Sequence, residues 1–162
     1  MSKAGSSQPI IAAQMPGADL AIDEVRADGL TESVTIANHG QIDQPLTGWA
    51  VASLHGTAVF NFPEDTYLAA GRTLRILSGE AAQAGGRNDL LWTRESIWSN
   101  RSDTVLLFDG LGHEVARHTY PRPTIRQPRV PKRKVLLHDR DGYRLLDWDE
   151  AGPAASKREQ GL

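Results

Sequence analysis

The sequence predicts an all-β fold, an antiparallel β-sandwich, and three observations lead to it. Short segments in which apolar and polar residues alternate recur along residues 20–118, and a period of two is typical of strands that bury one face. Turn-forming pairs such as Asp28-Gly29 separate these segments. The sequence lacks the 3.6-residue periodicity of a long helix. About seven short strands in about 100 residues match the size of a two-sheet sandwich.

The first four strands are predicted at residues 20–25, 33–37, 46–54 and 58–62. The second (SVTIA) begins with alternating polar and apolar side chains, which indicates a half-buried strand. Turn residues follow the second strand as Asn-His-Gly and the third strand as His-Gly. Pro63 ends the fourth strand, because proline has no N–H to donate to a sheet ladder.

Three more strands are predicted at residues 73–78, 104–109 and 113–117. Gly110 and Gly112 form a turn that joins the last two strands into a hairpin. Residues 79–89 contain several glycines among alanines, which predicts a loop with a helical turn.

The chain changes character after residue 120. Four prolines (121, 123, 128 and 131) break regular structure, so residues 121–134 are predicted to form an extended arm. This basic arm carries six cations and no acid: Arg122, Arg126, Arg129, Lys132, Arg133 and Lys134. Residues 135–150 predict a β-hairpin around the turn at 139–142. Because a lone hairpin is marginal in water, it must pack either on its own sandwich or on another subunit.

Length and charge complete the predicted organisation. With 162 residues and 40% hydrophobic content, the chain holds one folded domain plus tails. We expect a flexible leader at 1–18, the sandwich at 19–120, the basic arm, the hairpin at 135–150 and a tail at 151–162. Residues 19–116 contain 14 acidic and 6 basic residues, a balance of −8, whereas residues 117–162 contain 11 basic and 6 acidic residues, a balance of +5. With Lys3, these balances give the net charge of −2.

Composition also excludes several classes of protein. The absence of cysteine removes disulfides, thiolate nucleophiles and cysteine-ligated zinc. The sequence lacks the roughly 18–20 consecutive apolar residues of a membrane span, and the N-terminus lacks the apolar region of a secretory signal. We therefore expect a soluble protein that is cytoplasmic, or part of a particle assembled in the cytoplasm.

Two motifs with metal-binding character do not predict a metal site. Residues 113–118 have the spacing HExxxH, and on a strand residues five apart point to opposite faces, so His113 and His118 cannot share a metal. Residues 139–150 place acids at positions 1, 3, 9 and 12 of a calcium-type loop, but Arg144 stands where glycine is needed. We expect no metal, no cofactor, no catalytic residue and no small-molecule substrate. A pocket with convergent carboxylates would revive an enzymatic interpretation.

Six segments occur in a fixed order along residues 20–118: 32–40 (ESVTIANHG), 46–49 (LTGW), 60–63 (FNFP), 68–72 (LAAGR), 89–92 (DLLW) and 97–107 (IWSNRSDTVLL). This ordered set resembles the lamin tail domain family, in its bacterial or phage form. The resemblance implies an immunoglobulin-like β-sandwich that serves as an interaction or scaffolding module without catalytic residues. The chain has no heptad repeat, so the filament-forming role of lamins does not carry over.

Large apolar side chains within the predicted strands are expected to fill the core. Tryptophans in small sandwiches usually pack between the sheets, although exposed tryptophans can instead form stacking platforms for a ligand. The predicted core residues are Trp49, Phe60, Phe62, Trp92, Trp98, Leu106 and Phe108.

The basic arm is the predicted binding element. One interpretation is that its six cations dock the chain on protein subunits of a larger assembly, including copies of itself, as in a decoration or cement protein of a virion-like shell. The alternative is a module that binds nucleic acid or another anionic surface. Protein docking is favoured because the sandwich is acidic and because Tyr120 is the one aromatic residue between Ala116 and Val135 that could stack on bases.

Overall fold

The computed structural model describes residues 13–121 and 133–147, and these form strands and loops without a helix. The described strands are β1 (Leu20–Arg26), β2 (Glu32–Asn38), β3 (Gln44–Pro45), β4 (Ala50–Ser53), β5 (Val59–Asn61), β6 (Tyr67–Leu68), β7 (Thr73–Ser78), β8 (Asp89–Leu91), β9 (Asp103–Phe108), β10 (Glu114–Tyr120), β11 (Lys134–Asp139) and β12 (Gly142–Asp147). Within these residues no helix could cross a membrane.

Two four-stranded sheets, in the orders β1-β2-β7-β8 and β10-β9-β4-β5, pack face to face. Each inner face contributes apolar side chains at alternate positions, as expected for a sandwich core. Val34 and Ile36 on β2 pair with Ile76 and Leu74 on β7 in the first sheet. The most deeply buried core side chains include Trp49, Val51, Val105 and Leu107 from the second sheet and its entry turn. The predicted all-β sandwich is therefore confirmed.

The strand prediction was wrong in detail at three places. Residues 46–54 form a strand only at β4, because Gly48 adopts a positive φ of 83° in the turn that leads into it. The short strands β3, β6 and β8 were missed, since two or three residues show no periodicity. The strand β8 pairs with β7 in parallel, with Ile76 opposite Leu90, so the sheets are not wholly antiparallel.

The loop predicted at residues 79–89 contains no helical turn in the structure. It instead returns the chain to the edge of the first sheet, where Arg75 donates two hydrogen bonds to Asp89, both 2.9 Å long. The hydrogen bonds from Arg75 lower the pKa of the Asp89 carboxyl. This charge-assisted pair fixes the start of the parallel edge strand.

Candidate interaction surface

The strands β4 and β9 are buried on both faces, which is unusual for a sheet of a two-layer sandwich. Their inward side chains belong to the main core. Their outward side chains form a second apolar cluster, which we call the docking face: Ala50, Ala52, Leu106 and Phe108. Ala50 lies opposite Phe108 and Ala52 opposite Leu106, so small and large side chains alternate across this face. Something must therefore cover the outer side of the sheet.

The C-terminal hairpin, formed by β11 and β12, supplies that cover from the same chain. Leu136 is buried in the docking-face cluster, and Tyr143 and Leu145 pack against it. Leu136 pairs with Leu145 across the hairpin, so both point to the same side. At the open end of the hairpin, Lys134 Nζ lies 2.7 Å from Asp147 Oδ1. Next to the turn, the ring of His138 stacks on that of Tyr143, with the ring centroids 4.6 Å apart. Of the two predicted alternatives, the structure shows the hairpin packed on the sandwich of its own chain.

A glycine allows the hairpin to approach the sandwich backbone. Gly112, in the β9–β10 turn, has a φ of +81°, and a Cβ built on it would lie 2.2 Å from the carbonyl oxygen of Leu136. The N–H of Leu136 donates to the carbonyl of Gly112 at 3.1 Å, and His113 forms an antiparallel bridge with Val135. Asp109 fixes the turn by accepting hydrogen bonds from the backbone N–H groups of Leu111 and His113, each at 2.9 Å. A side chain larger than hydrogen at position 112 would exclude the hairpin.

The predicted partner-binding cations fall into three groups. Arg122, Arg126, Arg129 and Lys132 lie outside the described residues. Arg133 is exposed beside the start of β11, where it is available to a partner. Lys134 is half-buried and forms an ion pair with Asp147, so it holds the hairpin together. The structure thus assigns Lys134 a role inside the fold.

The predicted core residues occupy the following places. Trp49, Phe60, Phe62 and Trp98 are buried in the main core, whereas Leu106 and Phe108 are buried under the C-terminal hairpin. Trp92 is only partly buried and packs against the core edge, with its ring 5.7 Å from Phe60 and 5.8 Å from Trp98. The indole of Trp92 therefore closes the open side of the sandwich.

Two buried carboxylates that sequence patterns did not single out as a pair lie inside the sandwich. Glu32, with no exposed surface, accepts hydrogen bonds from Ser78 Oγ at 2.7 Å and Ser96 Oγ at 2.6 Å. It also accepts from the N–H groups of Ile97 at 2.8 Å and Trp98 at 3.3 Å. These bonds join β2 to β7 and to the loop before β9. An acid at the start of a strand that alternates polar and apolar residues was the only signal for this role.

The second carboxylate, Asp103, performs a similar task at the start of β9. It accepts a hydrogen bond from Ser53 Oγ at 2.5 Å and one from the N–H of Thr104 at 2.7 Å. Burial, with the negative charges of Asp103 and Glu32, raises the pKa of Tyr120. The Tyr120 hydroxyl donates a hydrogen bond to the carbonyl of Ser99 at 2.9 Å. These hydrogen bonds connect β4, β9 and β10 to each other and to the loop before β9.

The residues of the two metal-like motifs are separated in the fold. His118 Nδ1 lies 3.1 Å from the carbonyl oxygen of Ile22, whereas His113 lies beside Asp109. In the hairpin, Asp139 pairs with Arg144. Among residues 13–121 and 133–147, no three histidines and carboxylates lie close enough to hold a metal ion.

Two large apolar side chains are exposed in the C-terminal hairpin and in the turn that it contacts. Leu111 in the β9–β10 turn is 59% exposed, and Leu137 on β11 is 37% exposed. The other exposed large apolar residues lie elsewhere on the sandwich: Leu30, Ile42, Tyr67 and Leu91. Because Leu136 faces the sandwich, its neighbour Leu137 lies on the outer face of the hairpin, while Leu111 lies in the turn beside Gly112.

The two facing sheets, their order and their shared core define an immunoglobulin-like β-sandwich. The family model described as Lamin Tail Domain matches residues 13–122, and the chain belongs to the lamin tail domain family. Lamin tail domains are immunoglobulin-like interaction modules of a non-catalytic fold.

Other comparisons add little to this assignment. No curated protein matches the chain by sequence. Among solved structures, the chain is similar to the archaellum periplasmic stator protein FlaG from Sulfolobus acidocaldarius, at 10% sequence identity and a TM-score of 0.40. The match covers 64% of this chain and 99% of the stator protein.

Proposed function

We propose that this chain is a non-enzymatic structural module that docks on neighbouring protein subunits of a larger assembly through its sandwich and basic arm. A decoration or cement protein on a shell is the specific role that suits this arrangement. We further propose that assembly takes place in the cytoplasm, in keeping with the cysteine-free sequence.

The observation that carries the proposal is the anchoring of both ends of the basic arm. Before the arm, Tyr120 ends β10 and its hydroxyl donates to Ser99. After the arm, Lys134 begins the hairpin that packs on the docking face. The other cations of the arm therefore stand in the sequence between two elements of the fold. A binding segment that joins two elements of a fold loses less conformational entropy on docking than a free tail does.

Charge supports a protein partner. Residues 19–116 carry a balance of −8, so neighbouring copies or other acidic subunits attract the arm. Complementary charge contributes mainly to the rate and orientation of association. The exposed apolar side chains of Leu111 and Leu137 supply contact area that charge alone lacks.

Photo-crosslinking in the source cells tests this proposal. A photoreactive residue in place of Gln127 leaves every cation of the arm intact. We expect covalent adducts with protein that survive nuclease treatment. They should be lost when Arg122, Arg126 and Arg129 are all changed to Glu, because the attraction becomes repulsion.

The matched control changes the same three arginines to Lys, which keeps the charge, and its adducts should persist. Adducts that nuclease removes, with yields that fall steeply as salt rises, would instead establish the nucleic-acid alternative. Equal adduct yields from the Glu and Lys variants, or no adducts, would also overturn the proposal.

A further inference from the structure

We propose that the docking face also accepts the C-terminal hairpin of a second copy of this chain, so that copies associate by exchanging hairpins. The inference rests on the proposed function of docking on neighbouring subunits, and it names one such subunit. Exchange of an identical element preserves every contact of the closed monomer and adds only the new connection between copies.

The contacts between hairpin and sandwich do not depend on chain continuity. On the sandwich side they involve the docking face and the turn at Gly112 and His113. On the hairpin side they involve residues 135–145. Backbone attachment includes the Leu136–Gly112 hydrogen bond, which belongs to the His113–Val135 bridge, and these bonds must open before the hairpin leaves. A hairpin from another copy would make the same set of contacts.

The connecting segment, residues 122–132, is longer than the closed monomer requires. The strand β10 leads away from the His113–Val135 bridge over seven residues, and its six steps of about 3.3 Å each give a return distance of about 20 Å. The twelve steps from Pro121 to Arg133 could span about 37 Å at about 3.1 Å per residue, the rise favoured by proline-rich sequence. The hairpin can therefore reach past its own sandwich.

Charge favours the association of copies. In every copy, residues 19–116 have a net charge of −8 and residues 117–162 have a net charge of +5. The C-terminal part of one chain is thus attracted to the sandwich of another as well as to its own. The apolar side chains of the docking face then pack against those of the hairpin.

Cysteine cross-linking tests hairpin exchange directly, because the natural chain has no cysteine. Residues paired in an antiparallel bridge have Cα separations of about 4.5–5.5 Å, which suits a disulfide. One full-length chain carries His113→Cys and another carries Val135→Cys. The two are mixed, unfolded in urea, refolded together at high concentration and oxidised. We expect a disulfide-linked heterodimer whose yield rises with protein concentration.

The matched acceptor control adds Gly112→Ala to the His113→Cys chain, and the heterodimer should be lost. Adding Gly29→Ala instead, a glycine with a similar φ of +86° and no atom near its Cβ position, should leave the yield unchanged. A chain with both cysteines reports closure within one copy. If it closes internally at every concentration while the mixture gives no heterodimer, exchange is overturned.

If neither the mixture of single-cysteine chains nor the chain with both cysteines forms a disulfide, sedimentation of the natural, cysteine-free chain decides between the outcomes. A dimer that Gly112→Ala abolishes and Gly29→Ala preserves supports exchange, whereas a monomer at all concentrations overturns it. The proposed function is tested separately by the charge variants of the basic arm. Those variants leave the docking face unchanged, so failure of the proposed function and failure of hairpin exchange give different results.

Discussion

Replacing Glu32 with alanine is expected to lower the free energy of unfolding by about 3–5 kcal/mol. The substitution removes the fully buried acceptor of two serine hydroxyls and two backbone N–H groups. Of these donor residues, Ser78 and Trp98 are buried, whereas Ser96 is exposed and can turn its hydroxyl to water. Each buried donor left unsatisfied costs about 1–3 kcal/mol, and the hydroxyls can recover part of this by rotating. Urea unfolding followed by tryptophan fluorescence measures the change.

Two variants serve as controls for Glu32. Glu32→Gln keeps the shape and one acceptor oxygen, so its cost should lie between those of the wild type and Glu32→Ala. Glu64→Ala removes an exposed carboxylate and should change stability by no more than about 0.5 kcal/mol. If Glu32→Ala costs as little as Glu64→Ala, then the Glu32 network does not hold β2, β7 and the loop together.

Replacing Gly112 with alanine is expected to detach the C-terminal hairpin. The new Cβ would meet the Leu136 carbonyl oxygen at 2.2 Å, and that neighbour is backbone, so the hairpin must move as a whole. The strained φ costs about 1–2 kcal/mol, and lost burial of Leu136 adds about 1.5–3 kcal/mol. Amide hydrogen exchange should become fast throughout 134–147, while amides of β2 and β7 stay protected.

The matched control for this prediction is Gly29→Ala. Gly29 has nearly the same φ, but nothing lies within 4 Å of its Cβ position. Gly29→Ala should lower the free energy of unfolding only by the cost of the backbone strain, and it should leave the hairpin amides protected from exchange. Equal exchange rates at residues 134–147 in the two variants would mean that Gly112 is not needed for the approach of the hairpin.

Much of the sandwich was predictable because its signal is local. Alternation in 33–37 and 73–78, and the glycine turn after β9, gave strands close to those observed. The parallel strand β8 was not predictable, since three residues carry no period and the choice of neighbour depends on the return path of the loop. Tertiary contacts, such as Arg75 with Asp89, determine it.

One sequence feature indicates the docking face, although it did not enter the prediction of the fold. The run Thr-Val-Leu-Leu-Phe in β9 is apolar at consecutive positions, which is typical of a strand buried on both faces. It indicated that a further layer covers the second sheet, and the C-terminal hairpin is that layer. The choice between its own chain and a neighbour could not be made from sequence, because the contacts are the same in both cases. Lys134 was assigned to partner binding because it ends a run of cations that contains no acid. Its ion pair with Asp147 depends on the pairing of β11 with β12, which brings the two residues opposite each other.

The central claim is that the C-terminal hairpin covers the outer face of β4 and β9, and nuclear Overhauser effects in the unmodified chain test it most directly. The account predicts cross-peaks between the Phe108 ring and the methyl groups of Leu136, with slow exchange of the Leu136 amide. Random-coil shifts for residues 134–147 and a solvent-exposed Phe108 ring would contradict it.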